Sequence, residues 1–270
     1  MEPKRTVRYS DLLNDDFAGT KINTRPVGKD FPFVHRSFLW NLLSFIVYYL
    51  IAAPIAFLVC KLYLGLRFEN RKVLRSLRKT GYVLYGNHTR AIDALIPPMA
   101  AFPKKAYIIA GPDAVSLPGL KNIVQMLGAI PLPSDFSGMR NFMSAVSLRL
   151  QKKNCLAIYP EAHIWPFYTG IRPFSDASFL YPVKEKVPAV AMVTTYRRRR
   201  GLFRFCEKPG MTVTFSEPIY PCLDSSPRVA QHELREKVFH FMTEVSSSKE
   251  NLEYIRYVPA EPPEKQTVVE

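Results

Sequence analysis

The chain has 270 residues, 47% of them apolar, and a formal charge of +14. That is enough for one α/β domain with a sizeable core plus an N-terminal extension. A positive excess suits nucleic acid, an anionic membrane surface or anionic substrates, but no zinc-finger spacing or RNA-binding aromatic signature is present, so nucleic acid is not an expected partner.

Residues 1–36 are mixed in charge and poor in periodicity, and read as a flexible or surface-lying leader. From Ser37 to Cys60 follow 24 residues without a charge, long enough to cross a hydrocarbon core as a helix. The run starts too late and is too long for a cleaved signal peptide. Trp40, Tyr48 and Tyr49 suit an interfacial position, whereas Asn41 and Pro54 weaken a simple spanning helix. A core helix is the alternative to a membrane segment. Seven Lys or Arg residues precede the run and seven follow it closely, so the positive-inside rule gives no orientation. A monotopic anchor with both flanks on the cytoplasmic face fits this symmetry better than a crossing.

Leu66, Val73, Leu74 and Leu77, interleaved with Arg67, Arg71, Arg75 and Arg78, then predict a basic amphipathic helix ended by Gly81. It suits anionic head groups or plain solvent equally. Beyond Gly81 short apolar runs alternate with helix-like stretches, predicting an α/β domain with a mainly parallel or mixed sheet flanked by helices. Strands are expected at 82–86, 106–110, 129–132, 155–159, 188–195 and 211–216. Met139, Phe142, Met143, Val146 and Leu150 form a helical stripe that reads as core. A last helix starts at Ser226-Pro227 and turns Leu234, Val238, Phe241, Met242 and Val245 inward. The tail from Val258 is rich in Pro and Glu and is expected to be disordered. The predicted organisation is therefore 1–36 leader, 37–80 membrane segment and basic helix, 81–257 globular domain, and 258–270 tail. Cys60, Cys155, Cys206 and Cys222 form no close pair, which implies a reducing compartment and no disulfide framework.

Chemistry concentrates in Asn87-His88-Thr89-Arg90-Ala91-Ile92-Asp93. On a regular helix, side chains five residues apart diverge by roughly 140°. They meet if His88 lies on a strand-to-helix turn and Asp93 in the first helical turn. The carboxylate can then fix the imidazole tautomer and leave the other ring nitrogen free to take a proton from a hydroxyl. The alternative is a satisfied turn histidine.

This block, with Gly128-Ala129-Ile130-Pro131-Leu132, Tyr159-Pro160-Glu161-Ala162-His163 and Val187-Pro188-Ala189-Val190-Ala191-Met192-Val193, resembles the glycerolipid acyltransferase family, typified by 1-acyl-glycerol-3-phosphate acyltransferase. The resemblance runs from about Gly81 to the closing Gly210–Pro218 stretch. It implies a membrane-bound enzyme moving a fatty acyl group from an acyl-CoA or acyl-carrier-protein thioester to the hydroxyl of a lysophospholipid, on the cytoplasmic face of a phospholipid membrane. His88 and Asp93 would be the catalytic pair, with no metal and no cofactor beyond the donor. Asn87 is a further expected substrate-binding residue. Glu161 matches a position the family uses in acceptor binding or site architecture, or is a loop carboxylate capping a neighbouring amide. His163, where Ala162-His163 replaces the family's usual Gly-Thr, either bonds a phosphate or glycerol oxygen of the substrate or packs in the aromatic-rich loop. Ser134 stands where the family commonly has a phosphate-gripping Arg, so Arg172 and Arg140 become the expected grips. The tetrad Arg197–Arg200 reads as a phospholipid or acyl-carrier contact, or as a solvated turn. Two other readings remain open: a non-catalytic lipid-binding protein, which needs neither His88 nor Asp93, and a hydrolase, for which no nucleophile-elbow pattern is visible.

Overall fold

A computed structural model describes residues 3–19 and 23–260. In chain order its main elements are β1 (Arg5–Tyr9), the long apolar helix α1 (Phe38–Tyr63), β2 (Arg67–Glu69), β3 (Tyr82–Gly86), α2 (Ile96–Ala101), β4 (Ala106–Ala110), α3 (Lys121–Met126) and β5 (Ala129–Pro131). They continue with α4 (Phe136–Gln151), β6 (Cys155–Ile158), α5 (Leu180–Glu185), β7 (Ala189–Arg197), β8 (Gly210–Phe215), α6 (Pro227–Ser248) and β9 (Ile255–Pro259). Seven strands form one sheet in the order β2-β8-β7-β3-β6-β4-β5. Only β7 and β8 pair antiparallel, so the sheet is mixed and the fold is α/β, as expected.

The central strands are buried on both faces, which is why Tyr82–Gly86 and Ala189–Tyr196 read as continuous apolar runs rather than alternating ones. One core layer packs α4 and α6 on the sheet through Phe142, Val146, Leu234, Val238 and Met242. Asp135 caps α4 by accepting from Ser137 and Gly138, and Ser226 caps α6 by accepting from Val229. The second layer lies on the opposite face, beneath the C-terminal part of α1, and includes Cys60, Leu64, Tyr82, Leu84 and Ile96.

Helix α1 is not a core helix, because only 17% of its most apolar window is buried. Its inward residues fall on a four-residue repeat: Ser44, Tyr48, half-buried Ala52, Ala56 and Cys60, followed by Leu64. A four-residue repeat drifts by about 40° per turn on an α-helix. Two wider, i→i+5 bonded stretches, Ile46–Ala52 and Val59–Tyr63, keep the stripe facing the domain. Hydrogen bonds from Ser44 Oγ to the Met126 carbonyl (3.0 Å) and from Tyr49 to the Pro103 carbonyl (3.0 Å) fix it there. The outer side presents Phe38, Leu42, Leu50, Ile55 and Leu58. That makes α1 a candidate anchor lying along the domain.

Three expectations need correction. Residues 66–79 do not form one amphipathic helix: Arg67–Glu69 pair with β8 as an edge strand, and only Val73–Lys79 turn helically. Ladder bonds with β8 satisfy this backbone, and the isolated basic face is too short to outweigh them. Part of the sheet thus comes from before residue 81. The leader is not loose either. Strand β1 pairs with β9, and Val27 and Phe33 enter the core, Phe33 edge-on to Phe142 at 6.0 Å. Finally, Val258 and Pro259 belong to β9 rather than to a tail, while residues 261–270 lie outside the described residues.

Because Phe33 is only 7% exposed, Phe33→Ala is expected to destabilise the domain by about 3–5 kcal/mol. Urea unfolding of the full chain checks this; a loss below about 1 kcal/mol would return the leader to the surface.

Candidate functional site

Strands β3, β6 and β7 run parallel and end together, at the edge where open α/β sheets place their ligands. His88 sits just past β3, and the chain then makes a short 3-10 turn, Ala91–Leu95, that carries Asp93 back towards it. His88 Nδ1 lies 3.4 Å from Asp93 Oδ2. That oxygen also accepts from the Thr89 and Arg90 amides, both at 2.8 Å, so the turn's own free N–H groups fix the carboxylate. Asp93 is fully buried, and the His88 side chain is 17% exposed. Its Nε2 makes no hydrogen bond among the described residues, which leaves one ring nitrogen unpartnered.

Tyr159, which the sequence reading did not single out, completes this arrangement. Its ring stacks on His88 with centroids 4.5 Å apart, and its hydroxyl donates to the Asp93 carbonyl at 2.7 Å. Burial pushes the phenol's pKa well above its ordinary value, so it stays a neutral donor. Gly86 makes room, since a Cβ there would meet the Tyr159 ring at 2.9 Å. The available signal was position: Tyr159 directly follows β6, the neighbour of β3. Thr89 was also missed. Its hydroxyl accepts from Tyr196 at 2.7 Å, tying the His88 turn to β7.

The remaining expected site residues divide. Glu161 is buried and joins two of the blocks: its carboxylate accepts from the His88 amide (3.2 Å) and the Arg172 amide (3.0 Å). Burial raises its pKa, opposed by the charge of Arg172. Asn87 does not face a ligand. Its amide donates to the Thr194 carbonyl (3.0 Å) and accepts from the Thr194 N–H (2.8 Å), extending the β3–β7 ladder by a side chain. Arg172 is likewise turned inward and only 1% exposed. Its guanidinium lies over Trp165, bonds the carbonyls of Glu161 and His163, and stands 3.5 Å from the Glu161 carboxylate. It therefore holds the loop after β6 instead of reaching a phosphate. The His163 ring is half-buried and makes no hydrogen bond among the described residues, and Arg140 is exposed near the start of α4.

Ser134, expected to stand in place of a phosphate-gripping Arg, is engaged by the leader. The Ser134 hydroxyl accepts from the Val27 amide at 3.0 Å, and the Ser134 amide donates to the Val27 carbonyl at 3.0 Å. The strap continues on the other loop: Trp165 Nε1 donates to the Asp15 carbonyl (2.7 Å) and Phe17 N–H to the Ile164 carbonyl (3.1 Å).

Removing Arg172 would leave Glu161 buried without its cation. Arg172→Met is expected to cost about 3–5 kcal/mol at neutral pH. A carboxylate whose folded pKa is raised is least costly when protonated, so its contribution is lost as pH rises. The stability gap between variant and parent should accordingly shrink as pH falls into the carboxylate range. Urea unfolding at several pH values measures it; a gap that widens towards acid would contradict the assignment.

Comparison with known proteins adds three findings. No curated protein matches the chain. Among solved structures it is similar to the crystal structure of the 1-acyl-sn-glycerophosphate (LPA) acyltransferase PlsC from Thermotoga maritima, with 15% identity and a TM-score of 0.49, covering 79% of this chain and 99% of that one. The family model described as Acyltransferase matches residues 65–221, a span that takes in β2 and every site residue above. That match covers more than half of the chain, and the protein belongs to the acyltransferase family.

Proposed function

We propose that the protein is a membrane-bound O-acyltransferase that moves a fatty acyl group from a thioester to the hydroxyl of lysophosphatidic acid or a related lysolipid. The observation that carries this is His88 Nδ1 facing the buried, amide-held Asp93 carboxylate while Nε2 stays open. In this reading His88 is the general base and Asp93 orients it. Nε2 takes the acceptor's hydroxyl proton as the oxygen attacks the thioester carbonyl. The tetrahedral intermediate then expels the thiolate, which recovers the proton from the imidazolium. The Asp93 charge stabilises that imidazolium. The 3.4 Å separation is long for a hydrogen bond, as is common before substrate binding, and shortens in the complex.

Direct transfer is favoured over a hydrolase-type covalent route because the His88 ring hydrogen-bonds neither a Ser nor a Cys among the described residues. A non-catalytic lipid-binding role would need the carboxylate only as a cap for the turn and would not call for an imidazole beside it. The exposed apolar side of α1 supports membrane attachment, and its docking along the domain favours a monotopic anchor; the cytoplasmic face is proposed from the resemblance and the equal basic flanks. The donor is an acyl-CoA or acyl-carrier-protein thioester, and the reaction as proposed uses neither a metal nor a further cofactor. With Arg172 and Asn87 internally engaged, Arg140 and His163 are the residues proposed to meet the acceptor, while Glu161 shapes the site.

The test is a panel of labelled acceptors presented in vesicles: lysophosphatidate, lysophospholipids with larger head groups, and a neutral monoacylglycerol. Ester formation is expected with one or more of the lysolipids. Esterification of the neutral alcohol alone would overturn the acceptor class.

A further inference from the structure

Helix α6 covers only part of its sheet face. Its inward residues Leu234, Val238 and Met242 pack in the layer that holds Ala189, Ala191 and Val193 of β7. The helix stops at Ser248. Past that point the same face continues as Thr195 and Arg197 on β7, then Thr212 on β8 and Arg67 on β2, the two threonines lying buried at its base. Thr195 pairs with Thr212, and Thr212 with Arg67, so the three stand in one row across the strands. A cleft of about 360 Å³ opens over this row, and its rim includes Arg198, Arg200, Lys249 and Glu250.

Positive charge in the cleft exceeds what its carboxylates offset. Glu69 is paired with Lys249, and Glu250 accepts from the Arg198 amide at 3.1 Å. Arg197 bonds Thr212 Oγ1 at 3.1 Å and the Gly65 carbonyl. The guanidinium groups of Arg67, Arg198 and Arg200 make no hydrogen bond or ion pair among the described residues. Like charges gathered around one cleft repel one another, an anion between them relieves that repulsion, and guanidinium forks match phosphate oxygens.

Position identifies the anion's source. Leu64 and Leu66, next to the end of α1, pack with Tyr196 and Met211 on the other face of the sheet. A bilayer contacting α1 therefore lies across the sheet from the cleft. The cleft is close to the site along β7, because Thr194, whose backbone holds Asn87, directly precedes Thr195. A coenzyme A thioester carries phosphates on its nucleotide and its sulfur at the end of a long flexible arm. We propose that this cleft binds the phosphorylated nucleotide of a coenzyme A donor, which approaches from the α6 side while the lipid acceptor arrives from the α1 side.

The inference rests on the acyl-transfer reading, yet its test needs no turnover. Adenosine 3′,5′-bisphosphate, which lacks the thioester arm, is titrated calorimetrically into the full chain in neutral-lipid vesicles. Saturable binding is expected. The triple variant Arg67→Gln/Arg198→Gln/Arg200→Gln should weaken it by about 10- to 100-fold. An unchanged thermal midpoint is expected, since these groups bond nothing in the fold. In turnover assays the variant should raise the KM for acyl-CoA and leave that for the acceptor unchanged. Absence of bisphosphate binding, equal affinity in the triple variant, or equal displacement by inorganic phosphate at the same ionic strength would each overturn the proposal. Binding without acyl transfer would leave the cleft assignment standing and sink the proposed reaction instead.

Discussion

His88→Ala is expected to reduce turnover by about 10²–10⁴-fold, the contribution typical of a positioned general base. Few structural contacts disappear with the ring: the interaction with Asp93, the stack on Tyr159, and some half-buried packing. The His88 amide keeps its bond to Glu161, because that bond uses the backbone. Folding and vesicle binding should therefore survive, and kcat should fall without a matching change in the acceptor's KM. Steady-state kinetics alongside thermal unfolding separate the two effects. More than a few per cent of parental turnover would move the base to another residue.

Asp93→Asn should be comparably severe, for a different reason. An asparagine oxygen can still accept from the Thr89 and Arg90 amides, so the turn before α2 survives. What disappears is the negative charge beside the imidazolium. The oxygen that keeps the two amides is the one that faces His88 Nδ1, so the amide nitrogen would favour the wrong tautomer only by taking that place and giving up both amide bonds. In the Ser-His-Asp triad the same change costs about 10⁴ in rate, and a loss of about 10²–10⁴ is expected here. Asp93→Ala would add a structural cost by leaving two amides without their acceptor, about 1–2 kcal/mol by analogy with a lost helix cap. Asp93→Asn with full activity and unchanged stability would reduce the carboxylate to a turn-capping role.

The six strands from 82 to 216 were legible because each is a short apolar run bounded by polar or glycine punctuation, a pattern that burial on both faces produces in β3, β6, β7 and β8. Helices α4 and α6 were legible from their stripes and caps. The edge strand β2 was not: its three residues, Arg67-Phe68-Glu69, bury one side chain in part and carry no run to detect. The leader also escaped, since Val27 stands among polar residues, Phe31-Pro32-Phe33-Val34 is too short to show a period, and only tertiary packing shows where they go. At the site, the motif spacing led to a strand-to-helix turn, and the structure has that turn. The engagement of Asn87 and Arg172 within the fold could not be read, because chain spacing says nothing about which partner a polar side chain finds in space. Tyr159 was hidden for the same reason, as its contacts lie across strands rather than along the chain.

The central claim is direct acyl transfer from a thioester to a lysolipid. It is tested most directly by incubating the purified full chain, in vesicles, with a labelled acyl thioester in the presence and absence of lysophosphatidate. Ester, free thiol and intact protein mass are quantified together. The account predicts ester and thiol in equal amounts when the lysolipid is present, and an unchanged protein mass with the donor alone. An acyl adduct on the protein, release of free fatty acid in place of ester, or no ester with any lysolipid would contradict it.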